Sequence, residues 1–250
     1  MSKDEFQLIQ NLVSKAPETI GLIIKVNHEQ KLAVNANKAF RSASLIKLAI
    51  LNDVLDSHFD LDKEIHVRRD KLVGGAGVLQ LLSERIFQLK DLLALMISVS
   101  DNSATNLVID LIGMDHVNQY LSKMGFYKTR LNRYLMDTSA LESGKDNYTT
   151  PAESQRLLEM AIANHPMTKT WFLNQQFRYK LPGDFDETGN GIQVYNKTGE
   201  GYQIDHDVAE FVYGNKVISI ALLTFGSRSR MNTIRLFNDV GKLGADFLSR

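Results

Sequence analysis

The stretch from Arg41 to Phe59 constrains the fold of this 250-residue chain more than any other. After Ser44 it is apolar at positions that lie all round a helix, so a helix here must be buried on nearly every face. Those positions are Leu45, Ile46, Leu48, Ala49, Ile50, Leu51, Val54 and Leu55. Lys47 lies among them, and its i, i+3 spacing from Ser44 places the amine and the hydroxyl on one face. The stretch therefore predicts a core helix that buries a lysine.

Burial would change the chemistry of Lys47. Desolvation disfavours a charged ammonium and lowers its pKa, so a buried lysine can accept a proton from a serine one turn earlier. The backbone N–H groups and the dipole of a helix N-terminus would also favour an anion at Ser44. Together these effects activate a nucleophile. Taken alone, such a pair is more often an N-capping serine followed by a lysine whose amine reaches the surface.

The composition, 44% hydrophobic and 23% charged, is that of an ordinary soluble globular protein, long enough for a sizeable core. Basic and acidic residues number 29 each, which indicates no nucleic-acid partner and no anionic membrane surface. The absence of cysteine excludes disulfides, thiolate catalysis and cysteine-ligated metals. The six histidines lack metal-ligand spacing, so we expect no metal and no cofactor.

The first ten residues, MSKDEFQLIQ, lack the pattern of a signal peptide, and no apolar run is long enough to span a bilayer. As written, the chain is expected to be soluble and unexported. A trimmed export signal would leave the same sequence, so the compartment stays open. We expect a monomer that binds a small-molecule substrate.

Both ends of the chain predict short antiparallel strands next to a helix. The N-terminal elements are a helix over Asp4–Lys15 and strands over Ile20–Val26 and Lys31–Val34. The C-terminal elements are strands over Gln193–Lys197, His206–Tyr213 and Val217–Phe225, then a helix with Ile234, Phe237, Val240 and Phe247 on one side despite Gly241 and Gly244. Strands joined by tight turns predict an antiparallel sheet with the terminal helices on a face.

The middle of the chain, from about Ser44 to His165, predicts mostly helix. Helical spacing covers Leu89–Val99, Ser103–Ile112 and Asp115–Met124, with Gly113 and Gly125 where C-caps belong. The predicted fold class is α/β of the two-lobe α+β kind, an antiparallel sheet flanked by N- and C-terminal helices with an inserted all-helical lobe. We assign the sheet lobe to residues 1–42 and 180–250 and the helical lobe to 43–179, within a single domain.

Two tripeptides accompany the Ser-x-x-Lys pair. Ser100-Asp101-Asn102 lies between two predicted helices, where it would also suit a loop and N-cap. Lys197-Thr198-Gly199 ends a strand, where its glycine would also suit a turn. In this order the three motifs resemble class A β-lactamases and penicillin-binding proteins. The similarity to class A β-lactamases covers most of the chain, including Gly74–Leu82, Leu95–Gly113, Thr149–Pro151 and Gln175–Pro182, and it implies a β-lactamase/transpeptidase-like fold.

The resemblance implies catalytic roles for four residues. Ser44 would attack a carbonyl carbon and form an acyl-enzyme, while neutral Lys47 accepts its proton. Ser100 would relay a proton to the departing nitrogen, helped by the field of Lys197. No cofactor or metal is implied.

The resemblance also implies residues that bind the substrate. Asn102 would hydrogen-bond an acylamino side chain and could steady Lys47 with its other end. Lys197 and Thr198 would receive a substrate carboxylate, the lysine as a point charge and the hydroxyl as a donor. Arg228 and Arg230 could add a second contact to that carboxylate or lie solvated on the surface.

The implied oxyanion hole consists of two backbone N–H groups, those of Ser44 and of Glu200, which follows Gly199. Glu200 is a departure from the family, which usually has a small residue at this position. An acid next to a carboxylate-binding lysine would weaken that subsite.

The larger departure lies in the loop from Leu131 to Pro151. It resembles the loop that in class A β-lactamases carries a glutamate directly after an Arg–aromatic pair, the base that activates the deacylating water. Here Arg133-Tyr134 is followed by Leu135, and the nearest acids are Asp137 and Glu142.

The loop is also one residue short, and Asn147 stands where the acid partner of Arg133 is expected. Either the loop folds differently and Asp137 supplies the base, or the enzyme acylates and releases product slowly.

Three functions are consistent with these motifs. The first is an active-site serine hydrolase of the class A β-lactamase type, opening a β-lactam or related amide. The second keeps the acylation chemistry but acts on a D-alanyl peptide or an ester, with slow deacylation of β-lactams, and Leu135 favours it. The third is a sensor that traps a β-lactam or wall fragment without turnover.

Overall fold

The computed structural model describes residues 3–183 and 191–249. The α-helices in these ranges are α1 Lys3–Lys15, α2 Ile46–Asp56, α3 Leu89–Ser98, α4 Asn102–Ile112, α5 Met114–Lys123, α6 Thr138–Glu142, α7 Pro151–Asn164, α8 Met167–Leu173 and α9 Arg230–Leu248. The strands are β1 Thr19–Val26, β2 Glu29–Val34, β3 Phe40–Arg41, β4 Glu64–Val67, β5 Arg85–Gln88, β6 Tyr148–Thr149, β7 Gln193–Gly201, β8 Ile204–Tyr213 and β9 Lys216–Phe225.

Both ends of the chain build one antiparallel sheet with the strand order β2-β1-β9-β8-β7. The N-terminal hairpin joins the last strand directly, with Leu22 opposite Leu222. Strand β7 extends to Gly201, past the expected end at Lys197, because its pairing with β8 continues to the turn. The antiparallel sheet with terminal helices is confirmed.

The sheet is apolar on both faces because both faces are covered. Alternate residues of a strand point to opposite sides, and Leu22 packs in a core with Ile9 of α1 and Phe237 of α9. Its neighbour Ile23 belongs to a second, larger core shared with the helices of the middle of the chain. Helix α7 closes this second face, contacting β1, β8 and β9.

Helix α9 shows why glycine occurs inside an apolar helix. A Cβ atom at Gly241 would lie 1.9 Å from the carbonyl oxygen of Leu181, so only glycine allows this approach of helix and chain. Gly241 is therefore required by packing, where the sequence suggested only a tolerated defect. Of the residues predicted to face the core, Phe237 and Val240 are buried, while Ile234 and Phe247 are half-buried.

The middle of the chain contains the three helices that periodicity predicted, now α3, α4 and α5. Gly113 and Gly125 follow α4 and α5 with positive φ of 85° and 78°, which favours glycine at these two positions. The insertion is not entirely helical, because short strand pairs β4–β5 and β3–β6 lie in or against it. They are two to four residues long and carry little periodicity to read. The boundaries of the two lobes stay a prediction.

Helix α2 is buried from Ile46 to Leu55, as its apolar surface predicted. It lies against α3, α4, α5 and α7, so that helices surround it on several sides. Within the described ranges, no helix combines the length and the apolar character needed to cross a membrane.

Candidate active site

Ser44 lies in a 3₁₀ turn, Ala43–Leu45, that leads directly into α2. The preceding Ala43 has φ of 45°, a left-handed conformation uncommon for a residue with a side chain. Ser44 is half-buried and lines a cavity of about 250 Å³. Among the residues that the structure describes, its hydroxyl makes no hydrogen bond. The position at the N-terminus of a buried helix agrees with the sequence prediction.

The amine of Lys47 is fully buried. It donates hydrogen bonds to the carbonyl oxygen of Ser100 at 2.5 Å, to the hydroxyl of Ser100 at 3.0 Å and to Oδ1 of Asn102 at 2.9 Å. Burial, and then the nearby charge of Lys197, lower the pKa of Lys47 well below its ordinary value, and Asp101 opposes them in part. The alternative in which this amine reaches the surface is wrong.

Ser100 connects the two lysines of the site. Its buried hydroxyl accepts hydrogen bonds from Lys47 Nζ and from Lys197 Nζ, each at 3.0 Å. Lys197 is also fully buried, and desolvation lowers its pKa to about 7, although Asp207 and Glu200 oppose that shift. The structure thus joins residues that are 53 and 97 positions from Ser100 in the chain.

Asp101 holds Ser100 in place. Ser100 has φ of 52°, and the next residue caps α4 by accepting the N–H of Ala104 at 2.9 Å. The second oxygen of Asp101 accepts the N–H groups of Val78 and Leu79 at 2.7 and 2.8 Å. A Cβ atom at Gly77 would lie 2.3 Å from this carboxylate, so a glycine is needed there. The cap therefore also fixes the segment that contributes Gly75 and Ala76 to the cavity wall.

Asn102 begins α4 and uses both ends of its amide. Its oxygen accepts from Lys47, as described, and its Nδ2 donates to the carbonyl of Gly74 at 3.2 Å. Thr198 and Asn102 both line the cavity with Ser44. Gly199 lets β7 run close to the turn of Ser44, since a Cβ atom there would lie 3.0 Å from the carbonyl oxygen of Ser42.

Glu200 lines the same cavity, and other side chains hold its carboxylate. Arg230 Nη2 lies 2.6 Å from Oε2 of Glu200. Lys180 Nζ lies 3.4 Å from Oε1, and the hydroxyl of Tyr179 donates a hydrogen bond to the same Oε1. Burial raises the pKa of Glu200, but Lys180, Tyr179 and Arg230 together bring it below its ordinary value. Arg228 is exposed.

Lys180 and Tyr179 were not identified from the sequence as part of the site. Lys180 is fully buried and also pairs with Asp205 at 3.0 Å. A lysine between apolar residues in the segment RYKLP is the one available signal, and it is the same signal that singled out Lys47.

The loop after Arg133 holds Leu135 by its backbone. Asn106 of α4 accepts the N–H of Leu135 at 2.9 Å and donates to its carbonyl at 3.0 Å. Asp137 caps α6, since its Oδ1 accepts the N–H of Ala140 at 2.9 Å. Leu135 and Asp137 both line a second cavity of about 260 Å³, which shares Ser44 and Glu200 with the first.

The acid partner of Arg133 is Asp146, at 2.8 Å, one residue before the position expected from the sequence. Asp146 also pairs with Arg41, which ties the loop to β3. Asn147 instead accepts the N–H groups of Asn132 and Arg133 through its side-chain oxygen, at 2.7 and 3.0 Å. The loop is therefore closed by an adjacent acid and amide. Within the described ranges, no cluster of three or more potential metal ligands is present.

Residues 6–248 match the model of the beta-lactamase enzyme family, which is nearly the whole chain. The chain belongs to this family. A related β-lactamase, ROB-1 from Haemophilus influenzae, is 25% identical over 94% of this chain and 82% of its own length.

Among solved structures, the β-lactamase from Sphaerobacter thermophilus DSM 20745 superposes with a TM-score of 0.88 at 23% identity, over 99% of this chain and 98% of that one. PBP-A superposes with a TM-score of 0.82 at 24% identity, over 98% and 96% of the two chains. Membership of the β-lactamase family supports a hydrolase of the β-lactamase type with small β-lactam substrates.

Proposed function

We propose that this protein is an active-site serine hydrolase that opens a β-lactam or related amide through an acyl intermediate on Ser44. The observation that carries the proposal is the hydroxyl of Ser100, held at 3.0 Å from two buried amines beside the cavity that Ser44 lines. Such an arrangement supplies a path for a proton between the attacking and leaving groups.

In the acylation step, Ser44 Oγ bonds to the carbonyl carbon of the substrate and its proton passes to neutral Lys47. The desolvated amine can take this role because its pKa is low and its present partners are neutral oxygens. The neutral amine has two N–H donors, so of its three contacts the one with the Ser100 hydroxyl would then be donated by Ser100. When the carbon–nitrogen bond breaks, Ser100 delivers a proton to the departing nitrogen and recovers one from Lys47. While Lys197 is protonated, it contributes a positive charge beside the Ser100 hydroxyl.

Three further groups would bind the substrate. The backbone N–H groups of Ser44 and Glu200 are the proposed oxyanion hole, and losing one such donor typically costs about 3 kcal/mol of transition-state stabilisation. Thr198 and Lys197 would receive a carboxylate. The amide of Asn102 would bind an acylamino side chain while its oxygen remains on Lys47.

Deacylation is the step that separates this proposal from a second candidate. The position after Arg133-Tyr134 is occupied by buried Leu135, and one oxygen of Asp137 is committed to capping α6. Both features favour a peptidase or esterase that releases β-lactams slowly. A mutant of PBP-A with a leucine replaced by glutamate was solved as an acyl-enzyme complex with penicillin G.

The test is to incubate the protein with a chromogenic cephalosporin and to follow colour and intact mass together. Sustained colour supports a β-lactamase. One equivalent of colour with a persistent adduct supports the slow-release candidate or a sensor, and ester cleavage without an adduct supports an esterase. We expect Ser44→Ala to abolish every covalent product, whereas Ser42→Ala, which removes a hydroxyl two residues away, should retain them. An adduct that survives Ser44→Ala would contradict the proposal.

A further inference from the structure

The carboxylate of Glu200 lies at the part of the cavity where Thr198 would meet a substrate. Thr198 and Glu200 are two residues apart on β7, and side chains at i and i+2 of a strand project from the same face. Both residues line the cavity with Ser44. The side chain of Glu200 remains 34% exposed, so a bound molecule there would face its negative charge.

Arg230 lies beside Glu200 and could offset this charge for a ligand, but it already pairs with two carboxylates. Its Nη2 lies 2.6 Å from Glu200 and its Nε lies 3.3 Å from Asp205. Buried Lys180 is shared between the same two carboxylates. The cluster thus contains two cations and two anions, which neutralise one another, so it adds no net positive charge to that of Lys197 for an incoming carboxylate.

The position of Glu200 is also fixed. The hydroxyl of Tyr179 donates to it, and Arg230 Nη2 in turn donates to that hydroxyl oxygen at 3.1 Å. Turning the carboxylate out of the cavity would break contacts to Tyr179, Arg230 and Lys180 together. The charge is therefore a permanent part of the cavity wall.

We propose that Glu200 is a specificity-determining residue that biases this cavity against a free carboxylate and towards an acyl donor with a neutral or cationic group, such as an ester, an amide or an ammonium, beside Thr198. Glu200 acts in two ways, since it repels an anion directly and retains Arg230 as its own counterion. The inference rests on the proposed function for the identity of the site, but it concerns binding and can be measured without chemistry.

The experiment compares benzylpenicillin with its methyl ester, which differ in one negative charge. Equilibrium dissociation constants are measured by calorimetry in the Ser44→Ala background, where no acyl-enzyme can form. Glu200→Gln removes the charge at nearly constant shape. We expect it to improve binding of the acid relative to the ester by about tenfold at low salt, with the gain shrinking as salt screens the charges. Binding of the ester should change less than twofold, which also serves as the control for folding.

Two further variants define the cause. Adding Arg230→Ala to Glu200→Gln should remove part of the improvement in binding of the acid, because the arginine released from Glu200 would no longer be there to bind the carboxylate. An improvement that stays complete in the double variant would overturn the role of Arg230. Glu64→Gln, at an exposed position of β4, controls for net charge and should leave the ratio unchanged. An unchanged ratio in Glu200→Gln, or no binding of either compound, would overturn the inference. The protein with Ser44 intact could fail to form an adduct while the ratio of the acid and ester dissociation constants shifts as expected. That result would contradict only the proposed function.

Discussion

At the scale of single residues, the three lysines that are fully buried in the described part of the chain differ in what surrounds them. Lys180 lies within ion-pair distance of Asp205 and Glu200, which compensate its charge. The hydrogen-bond partners of Lys47 are a carbonyl, a hydroxyl and an amide oxygen, all of them neutral. A buried amine whose hydrogen-bond partners are neutral is the one suited to exist without a proton, because Asp101 offsets its desolvation only in part.

Lys197 gives a prediction for the pH dependence of stability. Its pKa is about 7 in the folded protein against an ordinary value of 10.5. Between these values the unfolded chain binds more protons, so the free energy of unfolding rises with pH. Replacing Lys197 by Met removes this contribution. The stability of the wild type relative to Lys197→Met should therefore increase above pH 7, by at most about 1.4 kcal/mol per pH unit.

Urea unfolding at pH 7, 8 and 9 measures this difference. The same substitution at Lys63, an exposed lysine, is the control and should show no trend of this size. A difference that is flat or falls with pH would contradict the assignment of the low pKa to Lys197.

Sequence reasoning at this scale worked where the signal was local. Lys47 could be identified because apolar residues flank it within one helix. Lys180 has a similarly apolar neighbour in Leu181, but its role follows from its ion pairs with Asp205 and Glu200. The pairing of β7 with β8 brings these two acids together, and a local pattern does not show it. Asp146 could not be chosen over Asn147 because the choice depends on the path of a loop.

At the scale of elements, the loop that carries Leu135 gives the second prediction. Asn106 holds the backbone of Leu135 on both sides, so a new side chain at this position would enter the second cavity at a defined place. We expect Leu135→Glu to speed deacylation of a β-lactam adduct by about tenfold or more, by providing a general base. Decay of the adduct followed by mass spectrometry measures the rate.

Leu141→Glu is the matched control for this prediction. It places the same acid in the same loop, on α6, and lines the same cavity farther along the chain. Equal acceleration by both variants would indicate a general effect of added charge, and no acceleration by Leu135→Glu would show that this position does not face the acyl group.

Helix α9 gives a third prediction, from two glycines three residues apart. A Cβ atom at Gly241 would meet the backbone oxygen of Leu181 at 1.9 Å, whereas one at Gly244 would meet the end of the Ile220 side chain at 3.2 Å. Gly241→Ala should therefore destabilise the protein by about 1–3 kcal/mol or more, because the backbone must move. Gly244→Ala should stay within about 1 kcal/mol of wild type, since the preference of helices for alanine offsets a small side-chain shift. Urea unfolding of both variants measures the contrast, and equal losses would contradict it.

Elements with a clear apolar pattern were predictable from the sequence, whereas the short strands β3 to β6 were not. Helices α1 to α5 and α9 and strands β1, β2, β7, β8 and β9 carry such patterns. The strands β3 and β6 have two residues each and form only because distant segments meet. The reason for Gly241 likewise lies in a contact with residues 60 positions earlier, beyond the reach of any local pattern.

At the scale of the whole molecule, the sheet belongs to both cores. Ile23, Val208 and Leu223 pack with the helices of the middle of the chain, while their strand neighbours pack with α1 and α9. Unfolding the inserted helices would expose one complete face of the sheet. We therefore expect the two lobes to unfold together in one transition.

Two spectroscopic signals can test this cooperativity. Trp171, the single tryptophan, packs at the edge of the helical core and reports on that part. Far-ultraviolet circular dichroism reports on the complete chain. The two denaturation curves should coincide, and separate midpoints would show that the lobes unfold independently.

The strand order has a consequence for how the protein is made. Ser44, the proposed nucleophile, is synthesised early, but Lys197 arrives on β7, which joins β1 in the sheet through β8 and β9, the last strands that the structure describes. At 5–20 residues per second, a ribosome needs on the order of ten seconds to travel from Ser44 to β9. If Ser44 acts as proposed, we expect a growing polypeptide to be unreactive until its translation is nearly finished, and a truncated product lacking β9 to carry Ser44 without forming an adduct.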